Sequence, residues 1–388
     1  MAAAQLTVTW TDNSWSEMGF KIERSTNGRT FSTVGIVRAN RTSFTDSSLA
    51  ASTTYWYRVK AYDLLRTSAY SPVVSAKTAA TTTSTGGTTG STGGTTGSTS
   101  GTTGSSGGTV TTGGTTTITD PVVTQGPSRI KAFTARAVTD YSAARSLVLS
   151  YDIVGGNKTI LLRGIGPGLS AYTSAKILPD PLLKLYYRTY LAASNDNWGG
   201  TSTLVAGFKE VGAFPLPTTS KDSALQRGMG IGSYKTVVNG AYSGLAQTEI
   251  YDSDGPLSSA GRIPKLSIRA AVGTGTGVLV GGFVVAGDAP IKLLVRAIGP
   301  SLSDISTGKL LDPQLSVHRG GTLVAQNNNW GGSSTLASTF TKVGAPSLPS
   351  ASKDSALLLT LSPGTYSTTV SGVSSTSGIA RLEFYVVP

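Results

Sequence analysis

Leu161-Leu162-Arg163-Gly164-Ile165-Gly166-Pro167-Gly168-Leu169 returns, in the same order, as Leu294-Val295-Arg296-Ala297-Ile298-Gly299-Pro300-Ser301-Leu302. A short apolar run that stops at a Gly-Pro turn is the pattern of a buried strand with a tight exit. Further matches flank it. Arg129-Ile130 through Arg136-Ala137 recurs as Arg262-Ile263 through Arg269-Ala270, and Asp180-Pro181 as Asp312-Pro313. Asn195-Asp196-Asn197-Trp198-Gly199-Gly200 recurs as Asn327-Asn328-Asn329-Trp330-Gly331-Gly332, and Val211-Gly212-Ala213 as Val343-Gly344-Ala345. Ser220-Lys221-Asp222-Ser223-Ala224-Leu225 recurs as Ser352-Lys353-Asp354-Ser355-Ala356-Leu357. Matches in one order at a nearly fixed offset define two copies of one fold, 129–253 and 254–388. Ile160-Leu161-Leu162 and Leu293-Leu294-Val295 read as central strands, and Gly364-Thr365-Tyr366 opens an alternating strand that runs to Val370. Each copy is expected to be a β-sandwich or jelly-roll.

Upstream, residues 1–78 form a different strand-rich unit. Leu6 to Trp10 and Phe20 to Arg24 alternate apolar and polar, Asn27-Gly28 is a hairpin turn, and Tyr55, Tyr57, Val59 and Ala61 share one face of the next strand. Between this unit and the repeats, 79–128 is a Gly/Thr/Ser-rich linker in which Ser84 to Gly90 repeats at once as Ser91 to Gly97. Such a tract buries too little apolar surface to offset its ordering entropy. It is read as an inert spacer or a carrier of O-glycans.

Composition agrees with an all-β chain. Of 388 residues, 48 are glycine and only 13% are charged, against about 25% in ordinary domains. Cysteine is absent, which excludes disulfides and thiolate metal sites, and one histidine, His318, leaves little room for His-based chemistry. The net charge of +12 is spread along the chain, with no basic run and no basic stripe interleaved with aromatics, so no nucleic-acid partner is expected. It is compatible with attraction to acidic polysaccharide or an anionic envelope, or with a merely soluble surface. Ala270 to Gly287 is uncharged, but its Gly and Thr residues make it two strands and a turn, so no membrane span is expected. The start lacks the basic and apolar regions of a signal peptide, and Met1 is read as placed on a mature or trimmed chain.

Trp10, Glu17 to Ser25, Leu49 with Tyr55, and Tyr57-Arg58-Val59-Lys60-Ala61 make residues 1–78 resemble a fibronectin type III domain. The resemblance implies a seven-strand sandwich that binds or spaces, with Leu49 and Tyr55 as its tyrosine corner. Only Met1 to Gln5 precede Leu6, so the family's first strand has no counterpart. Another protomer, the chain's own Thr115 to Val123, or simple truncation would each account for the gap. The duplicated unit resembles a repeat at the C-terminal ends of large secreted proteins of Verrucomicrobia and related bacteria. The match rests on Leu294 to Leu302, Asp312-Pro313, Asn329-Trp330-Gly331-Gly332, Ser352 to Leu357 and Pro363-Gly364. From Asp312 to Val370 the cadence is also similar to bacterial pre-peptidase C-terminal domains. Neither resemblance carries a catalytic residue.

The candidate sites lie in the repeated loops. Asp196, Asp222 and Asp354, with the neighbouring asparagines, offer the hard oxygens of a structural calcium site, or they hydrogen-bond their own turns. Trp198 and Trp330 either stack on a sugar ring or plug the end of the sandwich. Ser220-Lys221 and Ser352-Lys353 lack the base and oxyanion hole of a serine nucleophile. No cofactor and no enzyme activity are expected. The sequence thus reads as an extracellular or cell-surface structural or adhesive protein, with self-assembly into a fibre as one form. The alternative is a carbohydrate-binding appendage of a secreted polysaccharide-degrading enzyme.

Overall fold

The computed structural model describes residues 4–10, 19–38, 41–62, 68, 70–79, 128–170, 172–254 and 260–388. Nearly all of the Gly/Thr/Ser linker lies outside them, as do Thr115 to Val123 and part of Glu17 to Ser25.

The N-terminal unit is built from β1 (Ala4–Thr9), β2 (Gly19–Ser25), β3 (Ser32–Arg38), β4 (Ser43–Leu49), β5 (Thr54–Tyr62) and β6 (Val74–Lys77). β1 pairs with β4, while the other strands form an antiparallel sheet in the order β3-β2-β5-β6. Their alternating residues meet in a core of Val8, Phe20, Ile22, Leu49, Tyr55, Tyr57 and Val59. The Tyr55 hydroxyl accepts a hydrogen bond from the Ala50 amide at 3.1 Å, which ties the loop before β5 to the sandwich. At Asn27-Gly28, Asn27 Oδ1 accepts the amides of Arg29 and Thr30, and Gly28 takes a positive φ. Among the described residues β1 has β4 as its only strand partner.

The first repeat supplies β7 (Arg129–Thr139), β8 (Leu147–Ile153), β9 (Lys158–Ile165), β10 (Leu182–Tyr187), β11 (Tyr190–Asn195), α1 (Ser202–Val211), β12 (Ser223–Met229), β13 (Gly232–Asn239) and β14 (Gly244–Asp252). The second supplies β15 (Lys265–Val272), β16 (Leu279–Ala286), β17 (Ile291–Ile298), β18 (Pro313–Arg319), β19 (Thr322–Asn327), α2 (Ser334–Val343), β20 (Ser355–Leu361), β21 (Gly364–Gly372) and β22 (Gly378–Val387). These strands do not make two separate sandwiches. They form two eight-stranded sheets, β11-β10-β13-β8-β15-β22-β17-β20 and β12-β9-β14-β7-β16-β21-β18-β19. Each sheet takes half its strands from each repeat. Replacing every strand by its counterpart in the other repeat converts one order into the other, as an internal twofold relation requires. The seam is β8 against β15 in one sheet and its counterpart, β16 against β7, in the other.

The inner faces enclose one shared core, in which Phe133 from one sheet meets Phe384 from the other with ring centroids 5.3 Å apart. A second layer covers half of each outer face. α1, with Leu169, Trp198 and Phe214, covers β9, β12 and β14; α2, with Leu302, Trp330 and Ile305, covers β17, β20 and β22. The sequence reading did not find these helices. Thr201 and Ser333 cap their starts through side-chain oxygens, and Gly212 and Gly344 end them with left-handed backbone. Among the described residues neither α-helix packs on the two other half-faces, one over β10, β13 and β8 and the other over β18, β21 and β16, which are called open below. No helix among the described residues is long and apolar enough to cross a membrane.

Candidate functional site

The repeated loops hold the structure together. Asp222 and Asp354 are fully buried. Asp222 accepts the amides of Gly166 at 2.7 Å and Gly168 at 2.9 Å, and the Ser220 hydroxyl. Asp354 accepts the Gly299 amide at 2.7 Å, a longer bond from the Ser301 amide, and the Ser352 hydroxyl. Each carboxylate therefore clamps the Gly-Pro turn that follows a central strand. Burial pushes the Asp222 carboxyl above its ordinary range, against the hydrogen bonds it accepts and the attraction of Arg163. Asp196 is exposed and accepts from Asn197 Nδ2, while Asn195 bridges Asn197 O and the Ala224 amide. No three acidic, His or Cys side chains converge as a metal group among the described residues. Of the calcium candidates Asp196, Asp222 and Asp354, the two buried carboxylates are thus taken up by protein donors, while Asp196 lies apart on an exposed turn. Gly199 and Gly200 both have positive φ, as do Gly331 and Gly332.

Trp198 and Trp330, weighed in the sequence as sugar platform or plug, belong to the buried clusters beneath the two helices. They are 3% and 6% exposed, each packs on a helix phenylalanine (Phe208 or Phe340), and each indole N–H donates to a proline carbonyl at 3.0 Å. Ser220 and Lys221 do not face one another as a dyad; Lys221 is paired with Asp180, as Lys353 is with Asp312.

Beneath α1 lies a group that the sequence reading passed over. Arg163 is fully buried, donates to Glu249 at 2.6 Å and to Phe214 O at 2.5 Å, and packs against the rings of Phe208 and Phe214. Arg296 repeats this with Glu383, Pro346 O and Phe340. The signal was an arginine recurring inside an apolar strand in both copies.

The open half-face over β10, β13 and β8 carries different chemistry. The pairings place Lys184, Val237, Val148, Arg269 and Arg381 side by side across five strands. At the usual strand spacing this row is about 19 Å long. Beside it Tyr186 lies opposite Lys235, whose ammonium is 4.6 Å from the tyrosine ring centroid. The β7–β8 loop contributes Tyr141, 78% exposed, and the loop after β17 contributes Asp304. Together they line a cleft of about 420 Å³. Arg269 and Arg381 stand directly opposite each other, an arrangement that like charges disfavour. Asp304 bridges them, 2.7 Å from each. Burial alone would raise the Asp304 carboxyl, but Arg381 and Arg269 hold it below its ordinary range. Four cations against this one carboxylate leave the cleft strongly positive.

The counterpart half-face is an internal comparison. In identical register it bears Ser316, Thr369, Val280, Arg136 and Gln247, with His318 in place of Tyr186 and Ser367 in place of Lys235. The same scaffold thus presents one face with four cations and two tyrosines and one in which Arg136 is the one Lys or Arg among the seven matching positions and no tyrosine is among them. Sequence reading missed the first because the stripe runs across strands and its members are scattered along the chain.

No family model and no curated protein matches the sequence. Among solved structures, PNGF-II is 10% identical, over 66% of this chain and 57% of that one, with TM-score 0.19. The FN1–FN3 domains of chicken CNTN1 are 8% identical, over 100% of this chain and 95% of that one, with TM-score 0.17. The M60 catalytic domain with the CBM51-1 and CBM51-2 domains of Clostridium perfringens ZmpB is 8% identical, over 100% of this chain and 55% of that one, with TM-score 0.17. The chain thus spans 57% of the PNGF-II structure and 55% of the ZmpB structure. At such scores these likenesses carry no argument, and the all-β architecture rests on the strand pairing itself.

Proposed function

We propose that this chain is a non-catalytic, glycan-binding part of an extracellular adhesive protein. The observation that carries the reading is the difference between the two open half-faces. Both are built by the same fold in the same register, yet only one combines an exposed tyrosine, a second tyrosine on the sheet and long donor side chains in a cleft. Aromatic faces and fixed donors are what a polysaccharide meets on a binding surface. The non-catalytic part of the reading is supported by the Ser220 hydroxyl, which donates to a buried carboxylate, and by Lys221, which is paired with Asp180. The test is a glycan array probed with the full chain and with Tyr186→Ala. Retention of particular polysaccharides by the first and loss of their binding by the second is expected. An array on which the two proteins behave alike would refute the assignment.

A further inference from the structure

We infer that the glycan held in this cleft is acidic: a polysaccharide bearing carboxylate or sulfate groups, lying across the strands from Lys184 to Arg381. The inference rests on the glycan-binding reading and adds the charge of the ligand.

A neutral sugar needs donors and acceptors in mixture, whereas the polar groups along this row are mostly cations. Lys184 is in no ion pair among the described residues, and Lys235 faces the Tyr186 ring. Diagonal neighbours on paired strands lie about 7–8 Å apart, so the two ammonium groups share one end of the cleft without a carboxylate between them. At the other end Asp304 is the one carboxylate that bridges the opposed pair Arg269 and Arg381; Arg269 also donates to Ala143 O, and its Nε is buried with no hydrogen-bond partner. Asp304 already occupies that end as an anion; a ligand carboxylate or sulfate beside it meets the same two guanidinium groups. The two Val side chains between the charged ends give the floor an apolar stretch on which a sugar ring can rest. The counterpart row replaces Lys184 by Ser316, Lys235 by Ser367 and Arg381 by Gln247. Arg136 keeps the place of Arg269, so three of the four cations are a property of this face and not a requirement of the fold.

The experiment is affinity electrophoresis and calorimetry of the full chain with polygalacturonate, dextran sulfate and a neutral mannan, each at low and high salt. Wild type is compared with Lys184→Gln/Lys235→Gln, with Tyr186→Ala, and with Ser316→Gln/Ser367→Gln on the counterpart face. Thermal unfolding confirms that each variant is folded. The expected result is binding of polygalacturonate or dextran sulfate that weakens with salt. Loss of the two lysines should reduce it about two- to thirty-fold, while the counterpart variant binds as wild type; which polyanion binds better separates carboxylate from sulfate. Tight, salt-insensitive binding of the neutral mannan that needs Tyr186 but neither lysine would overturn the acidic assignment and leave the glycan reading standing. Binding of no polysaccharide, or binding that none of the cleft variants alters, would overturn both. Duplex DNA bound as tightly as the polysaccharides would show a surface that holds any polyanion and would overturn the assignment as well.

Discussion

Arg163 and Glu249 are among the most deeply buried side chains, and each would be a serious liability alone. Removing one partner of a buried ion pair leaves an uncompensated charge and destabilises by about 3–5 kcal/mol, whereas replacing both by apolar residues is often close to neutral. Arg163→Met alone should therefore unfold at markedly lower urea, and Arg163→Met/Glu249→Leu should recover much of the loss. Denaturation midpoints of the two variants check this; a double variant no better than the single one would contradict it. At this scale the sequence was partly legible. Asp222 and Asp354 stood out because they recur, but recurrence does not separate a ligand from a clamp. What separates them is the set of donors around the carboxylate, here the amides of the Gly-Pro turn from a strand about 56 residues away in the chain.

Among the elements, strands were the easiest to read, because period-two alternation and Gly-Pro turns mark them directly. The two helices were missed because each is only ten residues long, with α2 rich in Ser and Thr and α1 carrying Gly207 in its interior. Their cap signals, Thr201 with Gly212 and Ser333 with Gly344, were present in the sequence. The loop that carries Asp304 was legible only as a polar connection, and its role depends on two arginines from different strands. That role gives a pH dependence. The folded-state pKa of Asp304 is depressed, so its stabilising contribution is complete above the unfolded carboxylate pKa, about 4, and is lost as pH falls through the lower folded value. Measured by urea denaturation, the stability difference between wild type and Asp304→Asn should be constant around neutrality and shrink in acid below that range. A difference that grew on acidification would contradict the assignment.

For the molecule as a whole, the repeat was plain in the sequence and its consequence for topology was not. Internal similarity reveals two copies; it does not say whether their strands stay apart. The pairing of Val148 with Arg269 across the seam, and of Phe133 with Phe283, joins surfaces that alternation alone assigns to either an edge or an interior. Each repeat taken alone would expose the edges of two strands and half of the shared core, the conditions under which chains pair with one another. Residues 129–254 expressed by themselves should therefore be dimeric or aggregated, and light scattering across a concentration series is the check. A folded, dilution-stable monomer would show that the seam is dispensable.

Carrying both repeats in one chain changes what that seam responds to. Two separate single-repeat chains would close it by a bimolecular step and come apart on dilution. Here the segment between Asp252 and Lys265 keeps the two edges within reach, so closure is set by an effective concentration fixed by tether length. The cleft takes Lys184 from one repeat and Arg381 from the other, so it too stays assembled however thinly the protein is spread.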